Sequence, residues 1–366
     1  MSDFIPAARP IIGDDECSAV DRVIRSGMLA QGAEVASFEK EFSEQLVDGR
    51  DVVAVNSGTS GLHLGLLACG IGPGDEVIVP SFTFAATANS VALTGAKPVF
   101  ADIDPVTYCI DPQSAAGAIT SRTKAIMPVH LYGHPAAMDQ LAALCRQHGL
   151  MLFEDAAQAH GATFEGHPVG GFGSFAVFSL YPTKNMTSGE GGMVACSTPQ
   201  IARKVRLLRN QGMEKQYENE LIGFNARMTD IHAAIGRVQL TKVAAWTKQR
   251  VANATFLSEN LRGVTVPTVA SGARHVYHQY TIRVTQDRDR IGHALREEYN
   301  IGSGVYYPIP NHLLESLRGF AAGIDLPETN KAATEVLSLP VHPSLTPGDL
   351  ERIVVAVNSL VNGRPA

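Results

Sequence analysis

Between residues 50 and 200 short apolar runs alternate with stretches of helical periodicity, and that alternation leaves few folds open to the chain. The runs VVAVNS (52–57), EVIVPSF (76–82), KPVFADI (97–103), AIMPVHL (125–131), LMLFEDA (150–156), SFAVFSL (174–180) and GGMVACS (191–197) predict strands. Several are nearly continuous in apolar residues, the pattern of strands covered on both faces. Between them TSGLHLGLLACG and AAMDQLAALCRQHG read as helices closed by glycine. Strand–helix alternation of this kind predicts a large doubly wound α/β domain with helices flanking its sheet. A long helix is predicted over roughly 229–262. HQYTIRV (278–284), a helix over 290–300, the extended run GVYYPIP (304–310) and a last helix in GDLERIVVAVNSLVN then predict a smaller C-terminal α+β domain. We place the two domains at 1–250 and 251–366.

The 366 residues suffice for one large core and a second smaller one. A formal charge of -6 gives no footprint for nucleic acid or an anionic membrane. The five cysteines are odd in number and lack CxxC spacing, which reads as reduced thiols in a cytosol. The start MSDFIPAARPIIGDDE lacks the basic-then-apolar pattern of a secretory signal, and no apolar run approaches the ~20 residues of a membrane span. A cytoplasmic protein is expected.

Three places carry chemistry. In VNSGTSGLHLGLLACG (55–70) a strand runs into a helix whose first turn is Gly58, Thr59 and Ser60. Free amides at a helix start, beside small residues, suit a phosphate, although a well-capped helix without ligand has the same composition. No GK[ST] follows, so this is no P-loop. In LMLFEDAAQAHGA (150–162) Asp155 ends an apolar strand on the rim where open α/β sheets bind ligands. A carboxylate buried there needs a cation, unless it merely caps the next segment. Glu154 is expected on the opposite side, in solvent. In FSLYPTKNMTSGEGGMV (178–194) Lys184 follows another strand end, on the same rim. A phosphate cradle, a buried acid and a loop lysine match the needs of pyridoxal 5'-phosphate (PLP). The amine forms a Schiff base with the aldehyde, the carboxylate keeps the pyridine nitrogen protonated, and the helix start takes the phosphate. GIGPGD (70–75) follows a helix and precedes a strand, so it is a turn and not a dinucleotide motif. GEGG after Lys184 reads as a tight turn. His130 and His134 in HLYGH are separated by a glycine that breaks any shared helix, and no zinc signature is present.

The segments NSGTSGL, GIGPGDEVIVPSFTFAATANSV, GAKPVFADID, PVHLYG, EDAAQAHGA, FSLYPTKNMTSGEGGMV and GFNARMTDIHAAIGRVQL occur in this order from about residue 10 to 245. In them the chain resembles the DegT/StrS-type sugar aminotransferases of the aspartate-aminotransferase fold (fold type I). The resemblance implies a large PLP-binding domain with a mostly parallel seven-stranded sheet. It makes Lys184 the Schiff-base lysine, Asp155 the partner of the pyridine nitrogen, and Gln158 a hydrogen-bond partner of the ring hydroxyl. Phe84 would stack on the cofactor, and Gly58, Thr59 and Ser179 would hold its phosphate. Asn225 would reach that phosphate from a neighbouring subunit, giving a homodimer with shared sites. Tyr306, Tyr307 and His312 are candidates for the sugar-nucleotide cleft, or equally for a packed strand and loop. No metal is implied.

By the same resemblance L-glutamate donates the amino group and a nucleotide-linked keto sugar receives it. The run GFNARMTDIHAAIGRVQL, with no N-S-R-L-D pattern at that place, looks more like members that aminate C4 of a 4-keto-6-deoxyhexose. C3 amination and amination of a cyclitol ketone are the alternatives. Related dehydratases replace the lysine with histidine, and a non-catalytic regulator would be expected to lose the lysine or the acid; Lys184 and Asp155 are both present.

Overall fold

The computed structural model describes residues 3–321 and 323–362. Its centre is a seven-stranded sheet of β1 (Asp51–Val55), β2 (Glu76–Pro80), β3 (Lys97–Ala101), β4 (Thr123–Ile126), β5 (Met151–Asp155), β6 (Phe175–Ser179) and β7 (Gly192–Cys196). Their spatial order is β1-β7-β6-β5-β4-β2-β3. Within it β7 runs antiparallel to both neighbours, and every other pairing is parallel. Each strand coincides with a predicted run to within a few residues. β4 differs most, ending at Ile126, because Pro128 has no N–H to continue the ladder.

Alternate residues of each central strand enter different cores. Val53, Val55, Phe175, Val177 and Val194 pack on one face of the sheet, and Val52, Ala54, Ala176, Phe178 and Met193 on the other. This two-sided burial is why the runs read as continuously apolar. The covering helices are α1 (Asp14–Ser26), α2 (Ala33–Leu46), α3 (Gly58–Ala68), α4 (Ala86–Leu93), α5 (Pro112–Gly117), α6 (Met138–His148), α7 (Pro199–Arg209) and α8 (Asp230–Asn260). α2 and α8 lie over one face, with α1 against α8; α3 and α7 lie over the other.

One helix has its position dictated by glycine. Gly58, Gly61 and Gly65 share a face of α3, and that face lies directly on β6. A Cβ on Gly61 would stand 2.8 Å from Val177 Cγ1, and one on Gly65 would stand 2.6 Å from the Phe175 ring. A Cβ on Gly58 would meet Ser179 Cβ at 3.0 Å. The stripe therefore sets the start of α3 against the end of β6.

Beyond the sheet, β8 (Tyr280–Arg283) pairs antiparallel with β9 (Val336–Leu339). They share a core with α9 (Arg288–Glu297), the end of α8 and, after α10 (Pro327–Glu335), α11 (Pro347–Val361). α8 is continuous through residue 250, its first part on the large sheet and its last turns in this second core. The run GVYYPIP is not the extended element expected. It forms a loop with one bridge, Gly304 to Ser338, and Tyr307 at φ +59°. The edge of β8 belongs instead to β9, which the sequence hides because α10 runs into it with no intervening turn.

Candidate active site

A cavity of about 540 Å³ opens at the carboxyl ends of the parallel strands. The segment after β1 contributes Gly58 and Thr59, the one after β2 Phe84, the end of β5 Asp155 and Gln158, and the end of β6 Ser179 and Lys184. Tyr306 and Tyr307 close it from the C-terminal part.

Two adjacent carboxylates have opposite fates. Glu154 and Asp155 are consecutive in β5 and so face opposite sides of the sheet. Glu154 was expected in solvent, but it is fully buried. Its oxygens accept from the amides of Gly170 (2.7 Å), Phe172 (2.8 Å) and Gly173 (2.8 Å) and from His130 Nε2 (3.2 Å). The turn at 170–173 folds over that face and supplies the donors that water would have given. Burial pushes the Glu154 carboxyl up, but these hydrogen bonds outweigh it and hold the group below the usual carboxylate range. Asp155 has fewer donors: Thr87 Oγ1 at 2.7 Å to Oδ2, and the Ala157 amide at 3.1 Å to Oδ1. Burial therefore wins, and its carboxyl lies above the usual range despite those bonds and the nearby Lys184 charge. A buried anion short of donors, in a cavity wall, is a site for a cation.

Lys184 stands in the return between β6 and β7. Leu180 C=O accepts from both the Ser188 amide and Thr187 Oγ1, Leu180 N donates to Gly191 O, and Met186 is buried in the core beneath. Asn185 Nδ2 ties the same turn to Val276 O. The turn is thus anchored at both ends and below, and the lysine side chain enters the cavity. Burial lowers its amine to about 8, with Asp155 opposing the shift. His278, buried beside it, is held well below the ordinary imidazole range by desolvation and by the Lys184 charge.

At the start of α3 the Ser57 side chain accepts from the Ser60 amide, which leaves the Gly58 and Thr59 amides without an acceptor among the described residues. Ser179 lies against Gly58. Gln158 is held at both ends, its Oε1 accepting from the Tyr132 amide (2.7 Å) and its Nε2 donating to Tyr307 Oη (2.8 Å). Phe84 is 64% exposed although it lines the cavity.

The wall thus brings together Gly58, Thr59, Phe84, Asp155, Gln158, Ser179, Lys184, Tyr306 and Tyr307. Two expected residues lie outside it. Asn225 is exposed, bridged to Asn210 rather than facing the cavity. His312, expected in the cleft, is buried with Nδ1 2.7 Å from Ser81 Oγ, and its amide donates to the same oxygen. Thr87, Tyr181 and His278 were not singled out from the sequence. Thr87 had a weak signal, a hydroxyl in the first turn of the helix that follows the β2 strand end. His278 had none, because its approach depends on the segment before β8 bonding to Tyr132 and Gly133, which are distant in sequence.

A PLP molecule fits this set. The under-supplied Asp155 suits a pyridinium N–H, the free amides at α3 suit a phosphate, and the depressed amine suits an aldehyde.

Residues 10–358 match the model of the DegT/DnrJ/EryC1/StrS aminotransferase family, and the chain belongs to that family. The chain is 43% identical over 89% of both lengths to a pleiotropic regulatory protein of Geobacillus stearothermophilus. It is 41% identical to the dTDP-3-amino-3,4,6-trideoxy-alpha-D-glucose transaminase of Streptomyces venezuelae, over 93% of this chain and 90% of that one. The fold matches that of DesV from S. venezuelae in complex with a ketimine intermediate (TM-score 0.90, 40% identity, 94% of each chain). It also matches NtdA of Bacillus subtilis with bound cofactor PMP (TM-score 0.89, 31% identity, 96% of this chain and 83% of that one). The architecture is that of the fold type I aminotransferases.

Proposed function

We propose that this chain is a PLP-dependent aminotransferase that moves an amino group from L-glutamate to a nucleotide-linked keto sugar. The observation that carries the proposal is the meeting of Lys184, Asp155 and the free start of α3 on one cavity. The transaminase named for a dTDP sugar and the relative solved with PMP support it.

When bound, PLP supplies an aldehyde that condenses with amines and a ring that accepts the electron pair released at the neighbouring carbon. Asp155 would hold the ring nitrogen in its protonated form, with Thr87 fixing the carboxylate. Gly58, Thr59 and Ser179 would hold the phosphate, Gln158 would donate to the ring oxygen, and Phe84 would cover one face. Lys184 would carry the proton between the donor's α-carbon and the cofactor carbon. With its amine at about 8, roughly one molecule in ten has it neutral at pH 7, against about one in a few thousand for an ordinary lysine. The neutral fraction is the one that attacks and the one that accepts a proton.

Asn225, outside its own cavity and flanked by exposed Phe224 and Ile222, would serve the site of a second copy in a homodimer. Tyr306 and Tyr307 would line the sugar cleft. For the carbon aminated, the motif GFNARMTDIHAAIGRVQL supports C4 of a 4-keto-6-deoxyhexose, and the relative named for a 3-amino sugar supports C3.

The test is incubation of the PLP-loaded protein with glutamate and a panel of nucleotide-linked keto sugars. Product mass is expected to show an amine for oxygen exchange, and NMR to fix its carbon. Lys184→Ala is expected to lose turnover and the visible band of the lysine-bound cofactor. Full turnover in that variant overturns the assignment. A chain that takes up no PLP supports the regulator reading, which the first relative's name favours.

A further inference from the structure

Arg250 lies in the middle of α8 and is 6% exposed, yet no carboxylate among the described residues pairs with it. Its Nη1 donates to two main-chain carbonyls, Tyr277 O at 3.2 Å and His278 O at 3.4 Å. Its Nε is sealed from water and has no acceptor among the described residues. Buried cations without a counter-charge are costly, and a buried donor left unpaired adds to the cost.

The surroundings show what is missing. Arg250 walls two small chambers at the rear of the main cavity. The first shares Thr183, His278, Gln279 and Tyr306 with the main cavity, and the second shares Lys184. The first chamber is no larger than a water molecule, so only the tip of a ligand standing in the main cavity reaches into it. Thr183, Gln279 and Tyr306 offer hydroxyl and amide groups there, and Arg250 offers an unmatched positive charge. From outside, Ala7 and Ala8 close this chamber. Such a place is short of an anion with planar oxygens, which a guanidinium recognises better than any other side chain does.

From this we infer that Arg250 is the anchor for a carboxylate of the amino donor, with one carboxylate oxygen entering the chamber between Thr183, Gln279 and Tyr306. The inference rests on the aminotransferase reading, since that reading puts an amino acid in this cavity. It adds a binding group on α8, away from the strand ends that hold the other site residues. The keto sugar itself brings no carboxylate. A purely structural arginine, fastening α8 to the carbonyls of residues 277 and 278, predicts something different: damage to both halves of the reaction and no effect on a free dicarboxylate.

The experiment is a calorimetric titration of the full chain with glutarate, with and without PLP, beside Arg250→Gln and Arg250→Lys. Glutarate is expected to bind the parent chain and to bind Arg250→Gln about 10- to 100-fold more weakly, with Arg250→Lys between them. In stopped-flow assays Arg250→Gln is expected to raise the KM for glutamate by a similar factor. The KM for the keto sugar in the second half-reaction should not move. Equal glutarate affinity in parent and variant, or equal loss in both half-reactions, overturns the inference. Should Arg250→Gln fail to fold, Ala8→Trp fills the chamber and leaves the arginine in place. Unchanged glutarate binding in that variant also overturns it. PLP uptake, read from visible absorbance in the same samples, is scored separately. Its absence ends the aminotransferase reading, while the glutarate titration still decides the arginine.

Discussion

The Thr87 hydroxyl donates to Asp155 Oδ2 across 2.7 Å, from the first turn of α4 to the last residue of β5. It is one of two hydrogen bonds the carboxylate accepts among the described residues, and burial already pushes that group toward its neutral form. Thr87→Val keeps the shape and removes the donor. PLP affinity is expected to fall about 10- to 100-fold, the worth of a hydrogen bond to a charged group, and Thr87→Ser should restore most of it. Fluorescence titration with PLP checks this.

The neighbouring carboxylates of β5 give a paired prediction. Glu154→Gln puts an amide where three backbone N–H groups and His130 converge, and is expected to cost about 2–4 kcal/mol in urea unfolding of the cofactor-free protein. Asp155→Asn should leave that stability unchanged or raise it at pH 7. A carboxyl whose folded pKa lies above its unfolded value is penalised once ionised, and the amide is not. Its turnover should drop at least about 100-fold.

Protonation of Lys184 sets a pH dependence in the protein without cofactor. The amine sits at about 8 in the folded chain against an ordinary lysine value of 10.5, so the unfolded chain binds more protons between those values. Stability carried by this group is therefore lowest below pH 8 and is regained as pH rises through that window. Lys184→Met is expected to be more stable than the parent near neutrality, with the difference closing toward pH 10.5. Urea midpoints of both proteins at pH 6.5–7 and at the upper end of the window measure it.

Shared sites can be tested by mixing. Lys184→Ala and Asn225→Ala each disable a homodimer in which Asn225 serves the partner's cavity. Refolded together, heterodimers hold one site with both residues intact, and about a quarter of the parent sites should return. No recovery would place Asn225 in its own subunit's site.

Much of this was legible because the chemistry stands at strand ends. Asp155 closes the strand run LMLFED and Lys184 stands five residues past the strand end at Ser179, and the topology of a parallel sheet brings such ends to one rim. Glu154 was misread for a physical reason: strand alternation told its direction, but not that the turn at 170–173 would fold over it with three amides. His312 failed similarly, since its partner Ser81 is distant in sequence and only the fold shows the pair. The loop at Tyr306 and Tyr307 was read as extended because its aromatic content suits a strand, while Tyr307 at φ +59° departs from any strand conformation.

The backward run of β7 reaches beyond catalysis. It makes the Lys184 segment a return between two paired strands, and a residue added between Leu180 and Ser188 would disturb the bonds from the Ser188 amide and Thr187 Oγ1 to Leu180 O that shape it. A crossover connection, by contrast, absorbs added length. Divergence toward new acceptors is therefore channelled away from this bend, toward the loop holding Tyr306 at the far side of the cavity.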